Sequence, residues 1–263
     1  MIPKVIHYCW FGGNPLPELA QKCIESWKKF CPDYEIKQWD ETNFDVNCCD
    51  YVREAYEAKK WAFVSDYARL KVLYEYGGIY MDTDVEVIKS LDSILQFEAV
   101  SGFESARRVP TGLIASEQKH MMICEFLKDY ENIHFIREDG SFDLTTNVSR
   151  ITQCLFEYGL RQNDTFQTLN GFTLLPTDYL CPKNCITKKM SITDNTLTIH
   201  HFDGSWLTGE EKEISELRDE YAKKGYPFFM SQKLAVVMAL SKKYGVIKMP
   251  LKLIRRKWDN RNK

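Results

Sequence analysis

The stretch from Tyr74 to Val87, YEYGGIYMDTDVEV, constrains this chain more than any other. It reads as the end of a helix, a two-glycine stop, and a short apolar strand over Ile79, Tyr80 and Met81. Two carboxylates, Asp82 and Asp84, then stand one residue apart before a second strand. Residues i and i+2 of an extended chain point to the same side, so both acids can face one ligand. Like charges that close repel each other, and burial would raise their pKa values. A divalent cation removes that penalty, and hard oxygen ligands suit magnesium, calcium or manganese. The pair points to a metal site that holds a phosphate-bearing substrate; its plainer reading is a solvated turn.

The rest of the chain limits what can surround that pair. With 263 residues there is room for one large domain, or a domain with a small appendage. Hydrophobic residues at 44% supply a substantial core. Six Trp and fourteen Tyr either fill that core or line a cleft for sugars or bases. Met1-Ile2-Pro3-Lys4 runs straight into an apolar strand, without the basic lead and small-residue cleavage site of a secretory signal. No run of about 18 apolar residues occurs, so no spanning helix is expected. The nine Cys are odd in number and irregularly spaced. Cys181 and Cys185 have no second Cys or His pair to complete a zinc site, so free thiols in a reducing cytosol are expected.

Charge is unevenly spread. From Lys233 to Lys263 ten Lys or Arg accompany one acid, Asp259, a net of +9 within an overall −2, which leaves −11 on the remaining residues. That acidic remainder argues against a nucleic-acid-binding protein. The basic tail follows the apolar run Leu234 to Leu240 and is interleaved with Ile247, Leu251, Ile254 and Trp258. It either lies on an anionic membrane surface or belongs to a terminal helix pair that packs its apolar face and solvates its charges. The expected location is the cytoplasm, with peripheral contact at the inner face of the plasma membrane through this tail.

Strand and helix signals alternate, which favours an α/β domain. Strands are expected over Val5 to Trp10, Tyr34 to Trp39, Ile79 to Met81, Val85 to Ile88, Ala99 to Phe103, Gly112 to Ala115, Phe172 to Leu175 and Thr196 to Phe202. Helices are expected over Pro17 to Phe30, Asp50 to Lys59, Ala62 to Tyr76, Met121 to Tyr130, Thr146 to Tyr158 and Glu210 to Lys224. The expected division is a domain over residues 1–208 and a helical, basic C-terminal extension over 209–263.

Three further groups carry candidate chemistry. Asp66 and Arg69 stand one helical turn apart in WAFVSDYARLKVLYEYGG. They form either an ordinary i,i+3 surface salt bridge or, among apolar Phe63, Tyr67 and Leu70, a partly buried pair. In that case the acid accepts from sugar hydroxyls while the Arg steadies it or a phosphate. The run from Ile6 to Gly13, IHYCWFGG, ends a strand on an aromatic and two glycines. It is either a core strand entering a turn or a place where a ligand approaches the backbone and Trp10 stacks on a base. The run from His200 to Trp206, HHFDGSW, closes a late strand. Adjacent His residues on a strand face opposite sides, so at most one can join a given metal.

Taken together, IPKVIHYCWFGG, SDYARLKVLYEYGGIYMDTDVEV and HHFDGSW resemble glycosyltransferase family 32, the sugar transferases with a DXD sugar-binding motif. The group takes in capsular polysaccharide transferases, yeast initiating mannosyltransferases and, more remotely, clostridial toxin glucosyltransferases. The resemblance runs from Ile2 to roughly Trp206 and leaves the C-terminal extension uncovered. It implies a GT-A type fold, that is, a Rossmann-like mixed sheet flanked by helices. It also implies a nucleotide-sugar donor (UDP-hexose), a divalent metal (manganese or magnesium) and retention of anomeric configuration. The acceptor implied is a polysaccharide or lipid-linked oligosaccharide, as in capsule or surface polysaccharide synthesis.

By matching position, Asp66, Arg69, Asp82 and Asp84 would form the catalytic centre. Cys9 and Trp10 would lie at the nucleotide, with Trp10 stacked on the base and Tyr80 flanking it. Asp66 and Arg69 would bind the donor sugar. Asp82 would reach the ribose and the metal, and Asp84 and His201 would ligate the metal, although the toxins carry an acid in the region of His201. Ser205 and Trp206 would contact the diphosphate. Asn147, in TTNVSR, would stand near the sugar, although Val148 replaces the Pro that usually follows it in the family.

Breaking the anomeric C–O bond puts negative charge on the diphosphate, which a metal clamp stabilises. Front-face attack needs no enzymatic nucleophile. A double displacement would use Asp66 or Glu104, and Asp66 is better explained as a hydroxyl acceptor. Two other classes fit parts of the chain. YMDTDVEV also matches the D-x-D-x-V of haloacid-dehalogenase-like phosphohydrolases, with Asp82 as phosphorylated nucleophile and Asp84 as acid/base. That motif usually closes the first strand and precedes a second acidic pair, which is not evident here. The third class is a non-catalytic nucleotide-sugar-binding module, which the intact constellations do not favour.

Overall fold

The computed structural model describes residues 1–105, 107–110, 112–185, 187–204 and 209–245. One compact unit takes in residues 1–184 and 190–202, and the described remainder forms a second. The first unit opens with β1 (Val5–Cys9), α1 (Glu18–Phe30) and β2 (Glu35–Trp39). α1 turns Ala20, Cys23, Ile24 and Trp27 inward at the i, i+3, i+4, i+7 spacing of a one-sided helix. α2 (Asp50–Glu57) and α3 (Trp61–Tyr76) follow. α3 buries Val64, Ala68, Arg69, Leu70, Val72 and Leu73, so it is covered on most sides.

Gly77 and Gly78, both at positive φ, end α3. They do more than stop it. A Cβ on Gly78 would stand 2.7 Å from the carbonyl oxygen of Val5, and one on Gly77 would stand 2.8 Å from the amide nitrogen of Gln118. Glycine lets the chain leave α3 and enter β3 (Gly78–Met81) this close to β1. The unit continues with β4 (Val85–Val87), β5 (Ala99–Gly102), β6 (Leu113–Ser116), α4 (Met121–Lys128) and α5 (Asn147–Glu157). It closes with β7 (Gln167–Leu169), β8 (Phe172–Leu175), α6 (Thr177–Leu180) and β9 (Thr198–His200).

Seven strands form one sheet in the order β2-β1-β3-β6-β5-β8-β7, while β4 and β9 pair separately. β1 runs parallel to both β2 and β3, and β5 runs parallel to β8. The remaining pairs are antiparallel. This is the mixed sheet flanked by helices that the sequence leads one to expect. Strand alternation divides the interior into two cores. Ile79 and Met81 of β3 join Ile6, Trp27 and Val85, whereas Tyr80 joins Phe63, Leu70 and Phe126. The indole N–H of Trp27 donates to the carbonyl of Val85 at 2.7 Å, which ties α1 to β4.

The expected elements of this unit are all present, with bounds within two residues of those read from the sequence. β7 and α6 are additional. β7 pairs with β8 through Asn170-Gly171, both at positive φ, a two-residue hairpin turn of the Asn-Gly kind. The second unit holds α7 (Gly209–Lys223) and α8 (Phe228–Tyr244), with Ile214, Ala235 and Ala239 at its core. Residues 246–263, with much of the basic tail, lie outside the described residues. No helix among the described residues is long and apolar enough to cross a membrane.

Candidate active site

The alternation that buries Tyr80 carries Asp82 to the same side of β3, two residues on. The Tyr80 hydroxyl donates to Asp82 Oδ1 at 3.0 Å. The Asp82 amide donates to the carbonyl of Gly112 at 2.8 Å, and the Val85 amide donates to the carbonyl of Asp82 at 3.0 Å, closing the turn between β3 and β4. α3 brings Arg69 to this corner. Its Nη1 stands 3.1 Å from Asp82 Oδ1 and its Nη2 stands 3.1 Å from Asp66 Oδ1. Its Nε donates to the carbonyl of Ser65, and the guanidinium lies 4.6 Å from the centre of the Tyr80 ring.

The Arg69 side chain is only 6% exposed, so Asp66 and Arg69 are not a surface salt bridge. Burial alone would lower the pKa of Arg69, but Asp82, foremost among its neighbours, holds it raised. Asp66 is clasped from the other side by α5. The Asn147 amide donates to Asp66 Oδ2 at 3.1 Å, and Asn147 Nδ2 donates to the backbone carbonyl of Asp66 at 2.9 Å. Burial pushes the Asp66 carboxyl up to about 6, against the pull of Arg69 and the Asn147 amide. Asn147 Oδ1 is buried without a hydrogen-bond partner, an acceptor suited to a ligand hydroxyl.

β9 supplies the opposite corner. Its pairing with β4 sets His200 opposite Val85 and puts His200 Nε2 3.2 Å from Asp84 Oδ1. Asp82, Asp84 and His200 each offer one ligand atom, and these atoms all lie within 4.8 Å of one another. Two carboxylates and an imidazole at this spacing fit a divalent metal ion. The histidine expected to join the pair was His201, and this is corrected. His201 Nε2 lies 2.9 Å from the Glu86 carboxylate instead. His200 lies opposite Val85, and the turn before β4 carries the Asp84 carboxylate to it, while His201, the next residue, gives its amide to the Asp84 carbonyl and its ring to Glu86.

Burial opposes protonation of His200, but the Asp84 carboxylate outweighs it and raises the pKa well above the ordinary value. The ring stacks on Phe202 at 4.1 Å between centroids, and Phe202 adopts a φ of 56°, an uncommon conformation for a bulky residue. Gly112 makes room for the imidazole, since a Cβ there would stand 2.9 Å from it. In the sequence His200 lies in the candidate run but the resemblance points to its neighbour, and Gly112 does not stand out. Only the fold of the turn that holds Asp84 distinguishes His200 from its neighbour, and Gly112 shows its role only where the residue before β6 lies against the His200 ring.

The other expected residues are placed as follows. Trp10 is half-buried, and its indole N–H donates to the carbonyl of Asn14 at 2.6 Å. Cys9 is buried in the core with α3, and burial pushes its thiol up to about 12, so its backbone is what it can offer a nucleotide. Burial also raises the Glu104 carboxyl, with His200 opposing. Ser205 and Trp206 lie outside the described residues.

Residues 17–101, which include Asp66, Arg69, Asp82 and Asp84, match the family described as the glycosyltransferase sugar-binding region containing a DXD motif. The chain is 30% identical over 142 residues to inositol phosphoceramide mannosyltransferase 3 of Schizosaccharomyces pombe, covering 51% of this chain and 38% of that protein. It thus spans about two fifths of that relative's length. It is 26% identical over 204 residues to an uncharacterized glycosyltransferase of Acanthamoeba polyphaga mimivirus, covering 72% of this chain and 76% of that protein. Among solved structures, the PaToxG glycosyltransferase superposes with a TM-score of 0.44 at 19% identity, over 59% of this chain and 69% of that one.

Proposed function

Because residues 17–101 carry the DXD-containing sugar-binding region of glycosyltransferases, we propose that this protein moves a hexose from a UDP-linked sugar to a polysaccharide or lipid-linked oligosaccharide, with a divalent metal and with retention of configuration. One contiguous constellation carries the reading. Arg69 joins Asp66 to Asp82, and Asp82 meets Asp84 and His200 within 4.8 Å. Asp82, Asp84 and His200 would hold manganese or magnesium. The bound ion supplies positive charge against the diphosphate as the anomeric bond to it breaks. Arg69 and Tyr80 fix the orientation of Asp82, and Trp10 offers a face for the base.

Asp66 receives sugar hydroxyls, and Asn147 Oδ1 takes another. Both carboxylate oxygens of Asp66 are engaged, one by Arg69 and one by the Asn147 amide. That supports an acceptor of hydroxyls over a nucleophile, and with it front-face attack. Asp82 Oδ1 likewise meets both Arg69 and Tyr80, which blunts it for the phosphohydrolase role. The name of the fission-yeast relative pairs a mannosyl group with a ceramide lipid, which supports a hexose donor and a lipid-linked acceptor. The reading includes a cytoplasmic location and contact of the basic tail with anionic membrane, supported by the tail's net charge of +9.

Donor hydrolysis tests the reading without an acceptor. The protein is incubated with a panel of nucleotide sugars, with manganese or with chelator, and nucleoside diphosphate release is measured. Manganese-dependent release that chelator abolishes is expected. Release indifferent to chelator, or phosphate release from phosphomonoesters in its place, overturns it.

A further inference from the structure

Beside Asp66 lies a second layer of buried polar groups that the reading above leaves unused. α5 begins at Asn147, and the Thr146 hydroxyl caps it by accepting from the Ser149 amide. Asn147 and Arg150 stand one turn apart on this first turn, and so on neighbouring positions of one face. Asn147 holds Asp66 through two hydrogen bonds. Arg150 holds the turn itself. Its side chain is 9% exposed, with Nη1 2.6 Å from Asp129 Oδ2, just past the end of α4, and Nη2 on Asp143 in the segment leading into α5. Asp143 is fixed in turn, for its Oδ1 accepts from both the amide and the hydroxyl of Thr145.

The guanidinium also lies 5.1 Å from the ring centre of Tyr130 and 5.8 Å from that of Tyr51, and the two rings are 5.0 Å apart. The hydroxyls of Tyr51 and Tyr130 are buried without hydrogen-bond partners. The rings pack against the guanidinium, and the ion pairs of Arg150 anchor α5.

We infer that Arg150 is a positioning residue for the donor sugar. By pinning the first turn of α5 to Asp129 and Asp143, it fixes the Asn147 amide against Asp66, the carboxylate that receives the sugar hydroxyls. The inference rests on the reading of Asp66 as that acceptor. The metal corner comes from β3, the turn after it and β9, so Arg150 governs recognition of the sugar and leaves the metal and nucleotide alone. An ångström of drift at such a group costs on the order of 100-fold in rate.

The test compares wild type with Arg150→Met and Arg150→Lys in the full chain. Three quantities are read: hydrogen exchange at the Asn147 amide, calorimetric affinity for UDP with manganese, and turnover in UDP-sugar hydrolysis. Arg150→Met is expected to speed Asn147 exchange and to cut turnover on the order of 100-fold while UDP–manganese affinity holds. Arg150→Lys is expected to recover part of the loss. In an Asp66→Asn background, Arg150→Met adds little, because the two act in series. Asp129→Asn, which keeps the bond to Asp143, serves as the milder variant should Arg150→Met not fold. Unchanged Asn147 exchange in a folded variant overturns the inference, as does a fall in UDP–manganese affinity equal to the fall in turnover. If wild type neither binds UDP–manganese nor hydrolyses a nucleotide sugar, the functional reading fails, and Asn147 exchange alone decides what Arg150 does.

Discussion

The two ends of the site are built on different terms. At one end Asp66, Arg69 and Asp82 are assembled by α3, α5 and the central sheet, and a buried guanidinium balances the two acids. At the other end Asp84 and His200 come from a tight turn and a three-residue strand, steadied by a stack on Phe202 in an uncommon backbone conformation. The first end is part of what holds the domain together. The second is held in place by its surroundings and contributes less to them. Substitutions at the first end are therefore expected to weaken the fold along with the chemistry, and those at the second to remove the chemistry alone.

The largest effect is expected at the second end. Asp84→Ala should lower manganese-dependent donor hydrolysis on the order of a thousandfold, the upper range for losing one preorganised electrostatic group. Its urea midpoint should fall less than that of Arg69→Met, because His200 can release its proton once the carboxylate is gone. Full activity in this variant would break the comparison at its metal side. At the first end, Arg69→Met takes the shared cation from Asp66 and the part-exposed Asp82 and should cost about 3 kcal/mol in urea unfolding. An Arg69→Met protein as stable as wild type would show that the pre-paired corner is not part of the fold's support.

A finer contrast sets Asp66 against His7, a buried base outside the site. Trp39 Nε1 donates to His7 Nδ1 at 3.1 Å, and Nε2 meets the carbonyl of Gly77 at 2.9 Å, so the neutral ring is held in one tautomer. Burial lowers its pKa from 6.5 to about 4. Its stabilising contribution is thus present above pH 6.5 and lost as pH falls through about 4. Asp66 is the reverse. Raised by burial from 3.8 to about 6, it contributes below pH 3.8 and loses that contribution as pH rises through about 6. Each is worth about 3 kcal/mol across its window, and the windows overlap with opposite sign. His7→Gln should leave stability that falls as pH rises from 4 to 6, and Asp66→Asn should leave stability that falls as pH drops over the same range. Urea midpoints across that range decide it, and slopes of one sign in both variants would refute the opposition.

Much of this was legible along the chain because its causes are local. The helical spacing of Ala20, Cys23, Ile24 and Trp27 marks α1, and the Gly77-Gly78 stop followed by Ile79 to Met81 marks β3 with its two acids. Asp66 and Arg69 fall one turn apart by helix geometry alone. What stayed hidden depends on pairing between distant segments. Alternation says that one of His200 and His201 can face the acids, but the choice depends on how the turn before β4 swings Asp84 out of the strand's own alternation toward His200. Arg69 reaches Asp82 only because α3 packs over the side of β3 that carries Tyr80. Arg150 has no motif, and its meaning lies in Asp129 and Asp143. β7 did carry a local signal, Asn170-Gly171 between two short apolar stretches, which the strand reading passed over.

The alternation along β3 also bears on how this protein can change over evolutionary time. Ile79 and Met81 serve one core, while Tyr80 serves the other and Asp82 the site, so four consecutive positions share a single phase. Adding or deleting one codon between Gly78 and Asp82 would exchange the two sides, sending Tyr80 toward α1 and an aliphatic side chain toward Arg69. Substitutions can be tried here one at a time, but length cannot. A library of single-residue insertions should find this segment among the least tolerant in the chain.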